Sequence, residues 1–234
     1  MKSTVLVLSS EHGGNEVPEP YQHLFADHED ILETHLAWDI GALGIANHLH
    51  SVLDCDYFKT TITRLLIDCN RSLKHPKCFS KFTKSLPKTQ KNQIIEAYYH
   101  PYRDRVSGAI QHHIDKGNQV LHLSIHTFTP ELAGVTRKAA IALLYDSKRH
   151  GEKEVCRIWQ NLMFNHSPPY RIRLNYPYTG SSDGFTAALR KKHLENDYLG
   201  IEVECNQALV NDDDSLKALY STLSDSITQL MKII

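Results

Sequence analysis

The residues best able to do chemistry sit close behind short apolar runs. His12 follows the run at 4–8 within SSEHGGNEVP, and His126 follows the run at 120–125 within LSIHTFTP. A lone histidine in either place is more often a solvated loop residue or a satisfied core residue. Two at equivalent strand ends point to a shared task, because neutral imidazole is the commonest metal ligand and a catalytic zinc needs three protein ligands and an open position. In LGIEVECNQ, period two puts Leu199, Ile201 and Val203 on one face and Glu202 and Glu204 on the other. Carboxylates on an apolar strand are costly to bury unpartnered. They mark either an edge strand with a wet face or a general base at the strand terminus, for which Glu204 is the better placed. In TITRLLIDCNRSL, Arg64, Asp68, Asn70 and Arg71 lie within or just after an apolar stretch. A guanidinium there either offers its planar fork to a carboxylate or fastens a loop through an internal Arg–Asp pair.

Short strands must hold these groups. The pattern predicts strands at 4–8, 57–61, 120–125, 140–144 and 199–204, and helices at 29–53, 94–116, 150–164, 186–196 and 215–234. In the last helix Leu216, Leu219, Leu223, Ile227 and Met231 recur at helical spacing, with Asp213 or Asp214 as its cap. Continuous apolar strands alternating with helices imply an α/β fold, a mostly parallel sheet covered on both faces with reactive groups at the strands' carboxyl ends. One domain over 1–234 is expected, with the Lys-rich stretch 72–93 as a surface loop or lid. His35 and Asp39, four residues apart on the first expected helix, would share a face.

Composition excludes several classes. The chain has 234 residues, 41% hydrophobic and 23% charged, with a net charge of −1. No basic excess advertises a nucleic-acid or membrane partner. Eleven Gly and nine Pro exclude a collagen-like or Pro-rich disordered chain. No apolar run reaches the roughly 20 residues that span a bilayer. The start MKSTVLVLSSEHGG does not read as a secretory leader. Five cysteines without a CxxC suggest free thiols and a cytoplasmic location.

Taken in order, EHGGNEVP at 11–18, HLAWDIGA at 35–42, TRLLIDCNR at 63–71, LSIHTFTPELAGVTR at 123–137, IALLYD at 141–146, NYPYTG at 175–180 and ECNQALV at 204–210 make the chain resemble the N-formylglutamate amidohydrolase family. That family is related to the zinc carboxypeptidases, so the resemblance implies a three-layer α/β/α zinc-hydrolase domain with a mixed, mostly parallel sheet. It implies one zinc per chain, with His12 and His126 as ligands and Glu204 as the catalytic glutamate. It further implies that Asn70 and Arg71 hold a substrate carboxylate. Arg64 neutralises a second carboxylate or the developing oxyanion, and Arg137 stands at the pocket edge.

This sequence departs from the pattern in three places. The position of the carboxypeptidase glutamate ligand is Asn15, a poor zinc ligand, so the third ligand is another carboxylate: Asp39 first, with Glu11 and Glu16 behind it. Asn206 stands where the family has an arginine, and Arg103 where it has a histidine. The reaction implied is hydrolysis of an N-formyl or N-acyl amino acid by a metal-activated water. The alternatives are a carboxypeptidase-like peptidase or deacylase with another substrate, and a metal- or ligand-binding relative without activity.

Overall fold

The computed structural model describes residues 2–165 and 170–234. Its centre is a six-stranded sheet formed by β1 (Thr4–Ser10), β2 (Asp56–Lys59), β3 (Gln119–Phe128), β6 (Ile141–Leu144), β7 (Ile172–Leu174) and β8 (Tyr198–Asn206), in the order β2-β1-β3-β8-β6-β7. A separate two-stranded hairpin joins β4 (Glu131–Leu132) to β5 (Val135–Thr136). Strands β2, β1, β3 and β8 run parallel; β6 runs against β8, and β7 runs parallel to β6. The expected mixed, mostly parallel sheet is therefore present, with helices on both faces.

The two faces differ in chemistry. One carries Leu6, Leu8, Leu121, Leu123, Ile125, Leu199, Ile201 and Val203, and three amphipathic helices cover it. These are α1 (Ala42–Val52), α3 (His150–Phe164) and α5 (Asp213–Met231). Ile45 and Leu49 from α1, Trp159 and Met163 from α3, and Leu219, Leu223 and Ile227 from α5 complete that core. Trp159 Nε1 donates to Ser226 Oγ at 2.8 Å, which satisfies the indole where α3 meets α5. The opposite face is apolar only at its amino end, where Val7, Val120 and Tyr198 pack on α2 (His100–Asp115) and α4 (Phe185–Arg190) through Tyr102, Val106, Ile110, Phe185 and Leu189. Toward the carboxyl end the buried residues of that face turn polar: Ser9, His122, Ser124, His126 and Glu204.

Several expected boundaries move, each for a physical reason. The helix expected at 29–53 is two pieces, Glu29–Leu32 and α1, with a turn between them. Gly41 forces the break: its φ is +87°, and a Cβ there would come within 2.8 Å of Val210. His35 and Asp39 consequently do not share a helix face. The helix expected at 94–116 begins earlier, as Lys88–Ile94, and passes through a π turn at Ile95–Tyr99 into α2. That at 186–196 closes at Arg190. Asp212, rather than Asp213 or Asp214, caps α5, its Oδ2 accepting from Ser215 N at 2.9 Å. Both β3 and β8 outrun their apolar cores, so His126 lies within its strand rather than beyond it, and Glu204 is no longer the last residue of its own. The stretch 72–93 is a run of turns leading into Lys88–Ile94; Cys78 and Thr83 tie it inward, with Thr83 Oγ1 donating to Leu66 O at 3.0 Å.

A buried ion pair holds the far end of β8. Glu152 on α3 is fully buried and accepts from Arg190 Nε at 2.9 and 3.0 Å, from Asp146 N at 2.9 Å and from Gly200 N at 3.1 Å. Glu152→Gln would leave the Arg190 cation buried without its counter-charge. It is expected to cost about 3–5 kcal/mol in denaturant unfolding; a loss below about 1 kcal/mol would show that the pair is dispensable.

Candidate metal centre and substrate cleft

His12 leaves the end of β1 in a turn whose glycines let the chain run against residues 60–62. A Cβ on Gly14 would lie 2.5 Å from the carbonyl oxygen of Thr61, so only glycine fits that approach. The turn before α1 brings in Asp39, whose N–H donates to His12 O at 2.9 Å. His126 comes from β3, and Glu204 is its direct partner in the parallel register of β8. Neighbouring strands lie about 4.8 Å apart, so these two side chains rise side by side from one face.

Three donors converge. Asp39 Oδ2 lies 2.8 Å from His126 Nδ1 and 3.5 Å from His12 Nδ1, and His12, Asp39 and His126 each offer an atom within 4.8 Å of the others. A tetrahedral zinc with bonds of about 2.0–2.1 Å sets its ligand atoms about 3.3–3.4 Å apart, a spacing that the two Asp39 distances bracket. The outer nitrogens are engaged as well. His12 Nε2 is 2.7 Å from Asp68 Oδ1, and His126 Nε2 is 3.2 Å from Glu11 Oε2 and 2.8 Å from Ser124 Oγ. With Nε2 engaged outward, both rings turn Nδ1 toward Asp39; His126 Nδ1–H donates to Asp39 Oδ2 at 2.8 Å, and a cation would take that proton's place.

The field at the centre favours one more positive charge. Burial works against protonating either imidazole, yet Asp68 and Asp39 raise His12, and Asp39 and Glu11 raise His126 well above the ordinary histidine range. Burial also opposes ionisation of Asp39, but Arg64 and His12 hold its carboxyl well below its usual value. A divalent ion would displace the imidazole protons and satisfy the same carboxylates. Glu204 differs from its neighbours. Its Oε2 is buried without a hydrogen-bond partner among the described residues, and desolvation pushes its carboxyl up to about 7. The donor set therefore fits a metal ion, and Glu204 lines the same cleft beside His126.

The other carboxylates considered as ligands are accounted for. Glu11 stands behind His126, on its outer nitrogen. Glu16 points elsewhere, its Oε2 accepting from Thr61 Oγ1 at 2.6 Å. Asn15 Nδ2 donates to Leu32 O at 2.9 Å and Glu33 Oε1 at 3.1 Å, away from the centre. Asn206 knits backbone, donating to Arg137 O at 3.0 Å and Ala139 O at 2.9 Å. The Arg103 guanidinium carbon sits 4.0 Å from the Phe185 ring centroid.

A cleft of about 780 Å³ opens over the cluster, lined by His12, Asp39, His126, Glu202 and Glu204 together with Arg64, Asn70, Arg71 and Arg137. Arg64 spends its fork locally. Nε donates to Leu36 O at 3.1 Å, Nη2 donates to His35 O, and Nη1 lies 3.0 Å from Asp39 Oδ1 and 3.2 Å from His12 Nδ1. It braces Asp39 and His12, and a cation on His12 Nδ1 would replace the Arg64 contact there. Asn70 Oδ1 accepts from Phe185 N at 2.7 Å; its amide nitrogen has no protein partner among the described residues. Arg71 donates to Asp183 O, and Arg137 Nη2 donates to Tyr178 OH at 3.3 Å. Pro76, Lys77, Phe79, Ser80, Lys81 and Lys84 form one wall, which brings part of 72–93 to the cleft. Asp68 stood in the sequence beside Asn70 and Arg71, but nothing there tied it to His12. Nor does any pattern single out Ser124.

Sheet and cluster together define an α/β protein with a candidate metal centre at the carboxyl end of its parallel strands. The profile of N-formylglutamate amidohydrolases matches residues 4–211, and the chain belongs to that family. Among solved structures it is similar to a gene product of Agrobacterium tumefaciens, with 25% identity and a TM-score of 0.83 over 99% of this chain and 92% of that one. It shares its fold with an N-formylglutamate amidohydrolase from Ralstonia eutropha, at 15% identity and a TM-score of 0.71, over 100% of this chain and 95% of that one. No curated protein matches. No helix among the described residues is long and apolar enough to cross a membrane.

Deeper on the same face of β3, His122 is fully buried, with Nε2 2.8 Å from Ser9 Oγ and Nδ1 2.8 Å from Tyr198 OH. Desolvation pulls it down to about 4. Between pH 6.5 and 4 the unfolded chain binds a proton there that the folded one refuses, so stability falls as pH drops through that window. The loss is about 3 kcal/mol. His122→Gln is expected to flatten that part of a stability-against-pH curve; an unchanged slope would contradict a neutral buried imidazole.

Proposed function

We propose that the chain is a zinc-dependent amidohydrolase that cleaves the linear amide of N-formyl or N-acyl amino acids, with N-formylglutamate as the type of substrate. The observation that carries this reading is the convergence of His12 Nδ1, Asp39 and His126 Nδ1 beside the unpartnered oxygen of Glu204. His12, Asp39 and His126 would hold the ion. When bound, zinc supplies an acidified water and polarises the scissile carbonyl.

The chain's own residues do the rest. Glu204 accepts the proton of the attacking water on its carboxylate and returns it to the leaving nitrogen, which exits as the amine of a free amino acid while the acyl group leaves as a carboxylate. Its desolvated surroundings suit both halves of that task, since a carboxyl near 7 exchanges a proton readily at neutral pH. Asn70 Nδ2 and Arg71 orient the substrate's carboxylate, and Arg137 borders the mouth. Arg64, committed to Asp39 and to backbone carbonyls, serves the metal ligands more directly than the oxyanion.

Glu204→Gln is expected to lower kcat on N-formylglutamate by about 10²–10⁴-fold while elemental analysis still finds about one zinc per chain. Activity within tenfold of wild type would remove Glu204 as the base. Across a panel of N-acyl amino acids and their amides, Arg71→Ala is expected to raise KM about 10-fold or more only for substrates with a free carboxylate. Equal losses on acids and amides would dismiss its recognition role and favour a deacylase with another substrate.

A further inference from the structure

Behind the centre, a second set of polar residues is packed with no access to the cleft. Glu11 is 1% exposed; its Oε1 accepts from Tyr102 OH at 2.9 Å, and its Oε2 faces both Ser124 Oγ and His126 Nε2. We infer that Glu11, clamped by Tyr102 and Ser124, is a positioning residue that fixes His126 in the tautomer and ring orientation needed to bind the cation. The inference rests on the metal-dependent reading given above.

Three observations support it. Glu11, Ser124 and Tyr102 are absent from the cleft lining, whereas His126 belongs to it. A substrate therefore cannot touch them, and whatever they do passes through the imidazole. Second, a buried carboxylate is tolerated when paired, and among the described residues His126 is the group within hydrogen-bond reach of Glu11 able to carry positive charge. Third, with Nε2–H facing Ser124 Oγ at 2.8 Å and Glu11 Oε2 at 3.2 Å, Nδ1 is left to face Asp39 Oδ2, 2.8 Å away, where a cation would take the place of its proton. A carboxylate behind a metal-binding imidazole makes the ring a better donor and stops it from turning.

The sequence arrangement adds a constraint. Glu11 directly precedes His12, so one turn at the end of β1 delivers one metal ligand and the brace of the other. Tyr102 reaches Glu11 from α2, across 91 residues of sequence. The helix is thereby coupled to the centre without contributing a ligand.

The test is zinc affinity of the full chain, measured by competition with a chromophoric chelator after metal removal, for wild type, Glu11→Gln and Tyr102→Phe. Glu11→Gln is expected to weaken binding by about 10–100-fold, and Tyr102→Phe, which deletes one O–H and keeps the ring, by a smaller factor in the same direction. The visible spectrum of the cobalt-loaded protein should shift in Glu11→Gln, because the electron density on the His126 nitrogen changes. Wild-type zinc affinity and an unaltered cobalt spectrum in both variants, even with a lower melting temperature of the metal-free protein, would reduce Glu11 to a packing residue and overturn the inference. If Glu11→Gln does not fold, Tyr102→Phe decides by the same readouts. A wild-type chain that binds no zinc would overturn the metal reading, and this inference with it.

Discussion

Charge burial governs this molecule. At the carboxyl end of the parallel strands, Glu11, Asp39, Asp68, His12, His126 and Glu204 are all buried within one compact region. Each would cost several kcal/mol alone, so the fold must offset them against one another. It does so in an ordered way: each histidine stands between two carboxylates, Asp68 and Asp39 for His12, Glu11 and Asp39 for His126. Arg64 adds positive charge on the open side of Asp39. Glu204 Oε2 is fully buried and has no hydrogen-bond partner among the described residues. An unmade hydrogen bond at such a position costs stability, and the proton-transfer role proposed for it is a reason for that cost to persist.

The sheet makes the arrangement possible through its division of labour. Its closed face is a continuous apolar core under three helices, and this rigid layer lets the other face carry polar groups. Residues 122, 124 and 126 of β3 follow one another on that open face, and 202 and 204 of β8 stand beside 124 and 126 in register. A slip of one residue in the β3–β8 pairing would send the imidazole and the glutamate to opposite faces. The register is held by Leu121, Leu123 and Ile125 facing Leu199, Ile201 and Val203 on the closed side. The geometry of the candidate site on one face is thus secured by hydrocarbon packing on the other.

This division also explains what could be read from the sequence. Residue type and the position of a short apolar run were enough to single out His12, His126 and Glu204, because strands place side chains by a local rule of alternation. Asp39 is the preferred third carboxylate on sequence, but periodicity puts it on a helix that Gly41 breaks, since apolar spacing continues through a turn whose course depends on Val210 far along the chain. The wet-edge alternative for the Glu202–Glu204 strand failed for a similar reason: β8 is interior, paired on both sides. The contacts of Glu11 with Tyr102 and Ser124 span 91 and 113 residues, and no local pattern encodes such pairings.

Arg64 shows why a matched motif does not by itself assign a role. Its block implied a group facing substrate, and its distance from Asp39 and His12 would allow that. Yet a guanidinium has five donors in a fixed plane, and here Leu36 O, His35 O, Trp38 O, Asp39 and His12 take all five. A donor already aligned with protein acceptors can meet a developing oxyanion only by giving up one of them, and the bond to His12 Nδ1 is the one a cation would replace. Binding the ion would then free one N–H of Arg64 while its hold on Asp39 and the backbone persists. On that reasoning Arg64 braces the ligands and would have a donor to offer only once they are filled, so the same motif position serves structure first.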